Sequence, residues 1–233
     1  MKVNASVNVL YEDNHCLVVD KPAGLLSQGD ATGDPSLVTW ATGYLKARYK
    51  KPGNVYVGLV HRLDRPTSGV VLVARTSKAA GRLSEQFRVG QVEKVYLAVV
   101  EGSPIPPEGV WLDVLEKDAE QNRVHVVGRP GGSRRERTAE VAYRVIERSG
   151  DRSTIELRPA TGRSHQLRVQ LAGRGLPIFG DRKYGASGVL TASDGGRRIA
   201  LHARELTFNH PTRGVAMTIR APLPADWPAL AVR

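Results

Sequence analysis

The chain has 233 residues, 41% of them hydrophobic, which suffices for a sizeable core and excludes a disordered chain. Its net charge of +11 favours an anionic partner, with nucleic acid ahead of a membrane surface, although a solvated basic surface would also account for it. Cys16 is the only cysteine, and no apolar run suits a signal peptide or a membrane span, so we expect a cytoplasmic protein without an internal disulfide.

The first fifty residues predict two strands and a helix. Residues 8–24 have the pattern of strand, turn and strand, with the turn at Asp13 and Asn14 and a break at Pro22. A helix is predicted within residues 33–50, with Asp34 as its N-cap and Pro35 at its first position. The residues that recur at helical spacing on its inner face are Leu37, Trp40, Ala41, Tyr44 and Leu45.

Two β-rich runs follow at residues 55–60 and 70–74, and the segment HRLDRPTSG (61–69) is the loop between them. This loop places one carboxylate, Asp64, between Arg62 and Arg65. Residues 76–90 then predict a second helix, capped by Thr76 or Ser77, and residues 92–102 a further strand. The side chains expected to face inward from this helix are those of Ala80, Leu83 and Phe87.

The second half of the chain predicts mainly strands. Residues 104–109 form a proline-rich connection, which we interpret as a hinge or linker. The later elements are a hairpin of residues 138–148 and 153–162, a short helix at 165–175 and strands at 198–211 and 214–224. Because strands outnumber helices and follow one another at hairpin spacing, the sequence predicts a largely antiparallel α+β fold.

Several familiar motifs are missing from the sequence. There is no Gly-Lys pair, so no Walker-type phosphate loop, and neither G-x-G-x-x-G nor G-x-S-x-G occurs. The histidines form no H-x-x-x-H pair, and a single cysteine disfavours a structural zinc site. The sequence therefore gives no sign of nucleotide, dinucleotide or zinc chemistry, and we expect no metal and no cofactor.

Separated segments of the chain resemble one family, in the right order. HRLDRPTSGVVLVA (61–74) is similar to the catalytic loop of the RluA-type RNA pseudouridine synthases, and VVDKPAGLL (18–26) to their first motif. EKVYLAVVEG (93–102) resembles the strand with the active-site tyrosine, ATGRSHQLRVQLAGRGLPIFGDRKYG (160–185) the third region, and IALHARELTFNHP (199–211) the late strands. The resemblance implies the pseudouridine synthase fold, an α+β fold with a mixed, mainly antiparallel sheet, flanking helices and two lobes around a basic cleft.

The family isomerises uridine to pseudouridine within RNA, without a cofactor or metal. The resemblance implies that Asp64 is the catalytic residue, that Tyr96 packs against the uracil and that Arg168 is the basic partner of the aspartate. Arg62 corresponds to an arginine that enters the RNA and helps displace the target base. Removing a base from its stack costs a few kcal/mol, which a side chain filling the vacancy and an aromatic ring contacting the base help to offset. Ser164 stands where the family commonly has threonine and keeps the hydroxyl.

The remaining candidates for RNA contact are Lys21, Arg65, Arg163 and His165. Each also has a structural interpretation. Lys21 can shape a loop, and His165, like His61, can satisfy backbone groups. Arg163 and Arg168, taken singly, can be surface charges. Asp181 is interpreted as a structural ion pair or turn cap, and the segment RPGGSRRER (129–137) suits RNA phosphates or solvent.

We expect residues 1–233 to form a single catalytic domain. Many relatives carry a small N-terminal RNA-binding domain, whereas about 17 residues precede the first motif here, so no separate domain of that kind is expected. The expected partner is ribosomal or transfer RNA, and the protein is expected to be a monomer. Two alternatives stay open, a non-catalytic RNA-binding protein with this fold and a glycosidase-like hydrolase. The hydrolase would usually need a second carboxyl group, and the HRLDRPTSG and TGRSHQLR motifs hold no other acid.

Overall fold

A computed structural model describes residues 7–118, 120–128, 132, 136–191 and 197–228. The strands are β1 (Asn8–Glu12), β2 (Cys16–Lys21), β3 (Gly58–Leu59), β4 (Ser68–Ala74), β5 (Glu93–Glu101), β6 (Glu108–Asp118), β7 (Arg123–Val126), β8 (Arg137–Ser149), β9 (Arg152–Pro159), β10 (Leu190–Thr191), β11 (Arg197–Arg198), β12 (Leu201–Asn209) and β13 (Ala216–Arg220). The helices are α1 (Leu37–Arg48), α2 (Ser77–Arg88) and α3 (Gln166–Ala172), with a short 3₁₀ turn at Arg182–Tyr184.

The chain divides into two compact units. Of the described residues, 7–92, 197 and 203–224 belong to the first unit. The second unit holds the described residues of 93–191, together with 198–202 and 225–228. Among the described residues, no helix combines the length and the apolar character that a membrane crossing requires.

The first unit is built on an antiparallel sheet whose centre is β4. This strand pairs with β2 and β3, β2 pairs in turn with β1, and β12 pairs with β13. All seven residues of β4 are buried, which explains why its sequence, SGVVLVA, is an unbroken run of small and apolar side chains. Val70, Leu72 and Phe208 belong to the core cluster that α2 covers with Leu83.

The last residue of HRLDRPTSG, Gly69, has to be a glycine for two structural reasons. Its φ of +117° is a backbone conformation that residues with a side chain rarely adopt. A Cβ at this position would also lie 2.2 Å from the carbonyl oxygen of Ala203 in β12. Only glycine therefore lets the HRLDRPTSG loop enter β4 this close to its neighbouring strand.

The two helices of the first unit begin at hydroxyl caps. The Thr76 side chain accepts a hydrogen bond from the Ala79 N–H at 3.2 Å, so the prediction of Thr76 as one of two possible caps of α2 is confirmed. The prediction of Asp34 as the cap of α1 is wrong. Ser36 caps this helix by accepting from the Thr39 N–H at 3.2 Å, while the Asp34 carboxylate pairs with Arg65.

The second unit contains an antiparallel sheet in the order β5, β9, β8, β6, β7. The predicted hairpin is confirmed as β8 and β9, which are joined through Gly150. The proline-rich segment 104–109 connects β5 to β6 inside this unit. Pro106 and Pro107 accept hydrogen bonds from Tyr143 and Val145, so this segment does not link separate domains.

Helix α3 packs on the core of the second unit. Leu167 and Leu171 belong to the same cluster as Ile155 and Leu157 of β9. The far side of the helix is tied to β6, since Gln170 and Arg174 both donate to the Asp113 carboxylate at 2.7 to 3.1 Å. These contacts place Arg168 in the interior of the unit.

Candidate active site

Asp64 lies in the loop that joins β3 to β4. Its carbonyl oxygen accepts a hydrogen bond from the Thr67 N–H at 3.0 Å, so residues 64–67 form a tight turn. Leu63, on one side, is buried, whereas Arg62 and Arg65 are exposed. The loop thus buries Leu63 in the first unit, whereas the two arginines that flank Leu63 and Asp64 in the sequence occupy exposed positions.

His61 supports this loop from within the first unit. Its Nε2 accepts a hydrogen bond from the Leu72 N–H of β4 at 2.9 Å, and its ring stacks on Phe87 with centroids 4.6 Å apart. The scaffold role predicted for His61, satisfying a backbone group, is confirmed by this hydrogen bond.

Residues 21–27, which we name the bracing segment, hold the other face of the loop. The Gly24 N–H donates to the Arg65 carbonyl at 2.8 Å, and Arg65 Nε donates back to the Gly24 carbonyl at 3.0 Å. A second Arg65 nitrogen pairs with Asp34 at 2.8 Å. Arg65 is therefore part of the loop's support, and its contact with RNA stays a prediction.

The interpretation of Lys21 as an RNA-binding residue needs correction. Its side chain is fully buried, and its ammonium donates to the carbonyls of Leu25 at 2.8 Å, Pro22 at 3.0 Å and Arg65 at 3.4 Å. Burial lowers the pKa of Lys21 to about 7, and the charges of Asp64 and Asp20 partly oppose this change. An ammonium engaged in this way cannot reach a phosphate, so Lys21 shapes the loop instead.

Tyr96 lies near the start of β5, opposite Leu157 of β9. Its half-buried ring packs at the edge of the core of the second unit. Lys94, two residues earlier and on the same face of the strand, donates to the Thr161 carbonyl at 3.4 Å, and burial lowers its pKa. The strand therefore carries an aromatic side chain and an amine side by side, next to the loop that precedes α3.

The loop at residues 160–165 is fixed by its own hydrogen bonds. The Gln166 amide oxygen accepts from the Thr161 hydroxyl at 2.8 Å and from the Arg163 N–H at 3.0 Å, while its nitrogen donates to the Glu140 carbonyl. Arg163 is exposed, and its Nε donates to the Thr138 carbonyl at 3.0 Å. These hydrogen bonds tie the loop to β8, and RNA contact by Arg163 stays a prediction.

Arg168 forms a buried, bidentate ion pair. Its Nε and one terminal nitrogen donate to the two carboxylate oxygens of Asp181 at 2.6 and 2.9 Å, and 5% of Arg168 and 2% of Asp181 are exposed. The predicted structural ion pair of Asp181 is confirmed, but its partner was missed. The pairing of Arg168 with Asp64 stays a prediction.

His165 begins α3 with a left-handed backbone, at φ 52°. Its Nδ1 hydrogen-bonds the Tyr184 hydroxyl at 2.7 Å, and that hydroxyl also accepts from the Val124 N–H at 3.0 Å. The ring therefore links α3 to the 3₁₀ turn and β7. Direct contact of His165 with RNA stays a prediction, while its structural contacts are established.

Asp13, Cys16 and His210 are close enough in the described part of the chain to suggest a metal site. Both Asp13 oxygens, however, accept hydrogen bonds, from backbone N–H groups on one side and from Tyr11 and His210 on the other. The second nitrogen of His210 accepts from backbone N–H groups. The ligand atoms of Asp13 and His210 are therefore already engaged in hydrogen bonds, so we assign the group a structural role.

Comparison with known proteins identifies the class. Residues 15–173 match the family model described as RNA pseudouridylate synthase. The chain is 39% identical to ribosomal large subunit pseudouridine synthase D of Xanthomonas campestris pv. campestris, over 94% of this chain and 67% of the relative. It is 37% identical to the dual-specificity RNA pseudouridine synthase RluA of Escherichia coli K12, over 92% of each chain.

Solved structures agree with this match. The human RNA pseudouridylate synthase domain containing 4 has a TM-score of 0.77 at 26% identity, over 94% of this chain and 90% of that one. The human domain containing 1 has a TM-score of 0.72 at 26% identity and covers 100% of this chain and 94% of that one. The fold is that of enzymes that modify RNA, as the motifs predicted. The chain belongs to the RNA pseudouridylate synthase family, whose members are isomerases.

Proposed function

We propose that this protein converts a defined uridine of a structured RNA, ribosomal or transfer RNA, to pseudouridine, with Asp64 as the catalytic carboxylate. One observation carries the proposal: a carboxylate flanked by two exposed arginines lies on a loop whose backbone is braced by residues 21–27. This is the loop on which the family motif HRLD places its aspartate. The names of the relatives, one ribosomal and one of dual specificity, support RNA as the substrate.

The reaction exchanges one bond for another. The bond between uracil N1 and the ribose breaks, the base turns, and a bond from C5 to the ribose forms. C5 then loses its proton to solvent, and N1, released from the ribose, takes up a proton from solvent. Asp64 either attacks the ribose or removes a proton from its 2′ carbon, and both routes need an ionised carboxylate. No atoms are gained or lost overall, so the proposal includes no cofactor and no metal.

The substrate base has to leave its stack before the reaction. In the proposal, the exposed Arg62 enters the vacated position, and Tyr96 contacts the displaced uracil with its ring. Arg168 serves as the basic partner of the reacting carboxylate, held in place by Asp181. Each role follows the family motif that the residue occupies.

Phosphate contacts supply most of the affinity in the proposal. The net charge of +11 and exposed side chains such as Arg62 and Arg163 suit the RNA backbone. Arg129, Arg134 and Arg135 of the predicted arginine-rich loop lie outside the described residues. The proposal treats the whole chain as one catalytic domain acting as a monomer in the cytoplasm, where structured cellular RNAs are used.

The purified protein and bulk cellular RNA provide the test. Uridine labelled with tritium at C5 should release tritium in proportion to the pseudouridine formed, and the mass of the RNA should stay unchanged. Loss of uracil mass would identify a hydrolase instead. RNA binding without tritium release from any cellular RNA would favour the alternative of a non-catalytic binder with this fold.

A further inference from the structure

Ser27 makes an unusual pair of contacts at the end of the bracing segment. The residue is 5% exposed, and its hydroxyl donates to the Leu63 carbonyl at 2.7 Å. The same oxygen accepts from the Leu63 N–H at 3.1 Å. One side chain therefore satisfies both backbone groups of the residue that directly precedes Asp64.

The residue after Asp64 is held by the same segment. The Arg65 carbonyl accepts from the Gly24 N–H at 2.8 Å and from the buried Lys21 ammonium at 3.4 Å. Asp64 therefore lies between two residues whose backbone positions are set by hydrogen bonds from residues 21–27. Its own backbone carbonyl closes the turn with Thr67.

We propose that Ser27 is a positioning residue for the reaction, which sets the place of the Asp64 carboxylate through the backbone of Leu63. The inference rests on the proposed function, in which Asp64 reacts at the ribose. A reacting group displaced by about 1 Å costs on the order of 100-fold in rate, so the support of the loop has a kinetic consequence. Ser27 itself touches no substrate in this proposal.

A purely structural role makes a different prediction. Removal of the hydroxyl leaves the N–H and carbonyl of Leu63 unpaired in the interior, and this lowers stability in either case. If Ser27 only stabilises the fold, any variant of equal stability should have the same activity. If it positions Asp64, the rate constant of the bound complex should fall beyond what stability explains.

The chain offers a matched control in Thr76. This side chain is half-buried, and its hydroxyl also accepts a hydrogen bond from a backbone N–H group, that of Ala79 at the start of α2. Thr76→Ala should therefore also lower the melting temperature, through the loss of one N-cap hydrogen bond, whereas Ser27→Ala loses two backbone hydrogen bonds. The single-turnover rate of Thr76→Ala at saturating RNA should stay at the wild-type value.

The experiment compares Ser27→Ala, Ser27→Cys and Thr76→Ala by single-turnover tritium release at saturating RNA and by RNA titration. We expect Ser27→Ala to lose about 100-fold in rate with unchanged RNA affinity. Ser27→Cys keeps the shape with a weaker donor and acceptor, so it should fall between wild type and Ser27→Ala. If Ser27→Ala does not fold, Ser27→Cys takes its place in the comparison with wild type and Thr76→Ala.

Two results would overturn the inference. One is a wild-type rate in both Ser27 variants, and the other is an equal loss of rate in Thr76→Ala. Asp64→Asn, measured alongside, separates the two proposals. An inactive Asp64→Asn with fully active Ser27 variants rejects the positioning role alone, whereas an active Asp64→Asn rejects the proposed function on which it rests.

Discussion

The sequence motif identifies Arg168, but it does not reveal the residue with which Arg168 pairs. The HQLR motif indicates a basic residue of the site, but its bidentate partner Asp181 lies thirteen residues further along the chain. Both side chains are almost fully buried, and a buried charge is tolerated only when it is paired. Asp181 therefore fixes the orientation of the Arg168 guanidinium as well as compensating its charge.

This ion pair leads to a prediction about coupling. Arg168→Met and Asp181→Asn should each lower the free energy of unfolding by about 3–5 kcal/mol, because each leaves a buried charge without its partner. The double variant should lose much less than the sum, as urea unfolding of all four proteins would measure. The double variant should not regain turnover, since the proposed function makes Arg168 the basic partner of the reacting carboxylate. Additive losses of stability would contradict the coupling.

Tyr96 provides a second prediction at this scale. Tyr96→Phe keeps the ring and should retain most of the single-turnover rate, whereas Tyr96→Ala loses a stacking contact of roughly 1–3 kcal/mol. Tritium release at saturating RNA distinguishes the two. If the phenylalanine variant falls as low as the alanine variant, the hydroxyl itself takes part, and proton removal from C5 becomes its role.

At the scale of elements, local patterns predict most of the strands and helices. The alternation and the turn residues of β8 and β9 suffice for their hairpin, and the unbroken apolar run of β4 indicates a buried strand. Strand β6 is not predicted, because its apolar residues occupy both faces of the strand and show no alternation: Leu115 is buried on one face, and the other face carries exposed apolar residues. Val110 and Leu112 are 61% and 65% exposed, while Asp113 points inward to Gln170 and Arg174.

The contacts that brace the candidate site join residues too distant in sequence to leave a local signal. Ser27 and Leu63 are 36 residues apart, and no spacing rule connects them. The same holds for Lys21, whose position in a KPAG motif suggests an RNA contact until its burial is known. Motifs thus predict which segments meet, whereas the choice between supporting and reacting side chains requires the packed structure.

Hydrogen bonds to Asp13 join two turns of the first unit, and they lead to a prediction about stability. Asp13, in the turn after β1, accepts hydrogen bonds from the N–H groups of His15 and Cys16, from Tyr11, and from His210 in the turn after β12. Burial alone would raise the pKa of Asp13, but these hydrogen bonds outweigh it and lower the pKa to about 2. The ionised form is therefore the one that the fold stabilises.

The stability from this network should depend on pH in a defined window. The folded pKa of Asp13 is depressed, so its contribution of about 2 kcal/mol is complete above the unfolded pKa near 4 and is lost as the pH falls towards 2. Urea unfolding of wild type and Asp13→Asn should differ most at neutral pH and converge near pH 2. If the difference in unfolding free energy between the two proteins is constant across this range, protonation of Asp13 does not contribute to the stability of the network.

At the scale of the whole molecule, the proposed enzyme separates binding from chemistry. The net charge and the exposed arginines supply an attraction for RNA that does not depend on any one carboxylate. In the proposal, the chemistry depends on one carboxylate, that of Asp64, and the residues on either side of it are held by hydrogen bonds from residues 21–27. Loss of that group should therefore abolish turnover while RNA binding persists.

Asp64→Asn tests this account most directly. Asparagine is nearly the same size and keeps the backbone turn to Thr67, but it is neutral and serves as neither nucleophile nor base at neutral pH. We predict a folded variant that binds RNA with wild-type affinity and releases no tritium from 5-tritiated uridine in cellular RNA. Turnover within about tenfold of wild type, which corresponds to about 1.4 kcal/mol of activation free energy, would contradict the assignment of Asp64.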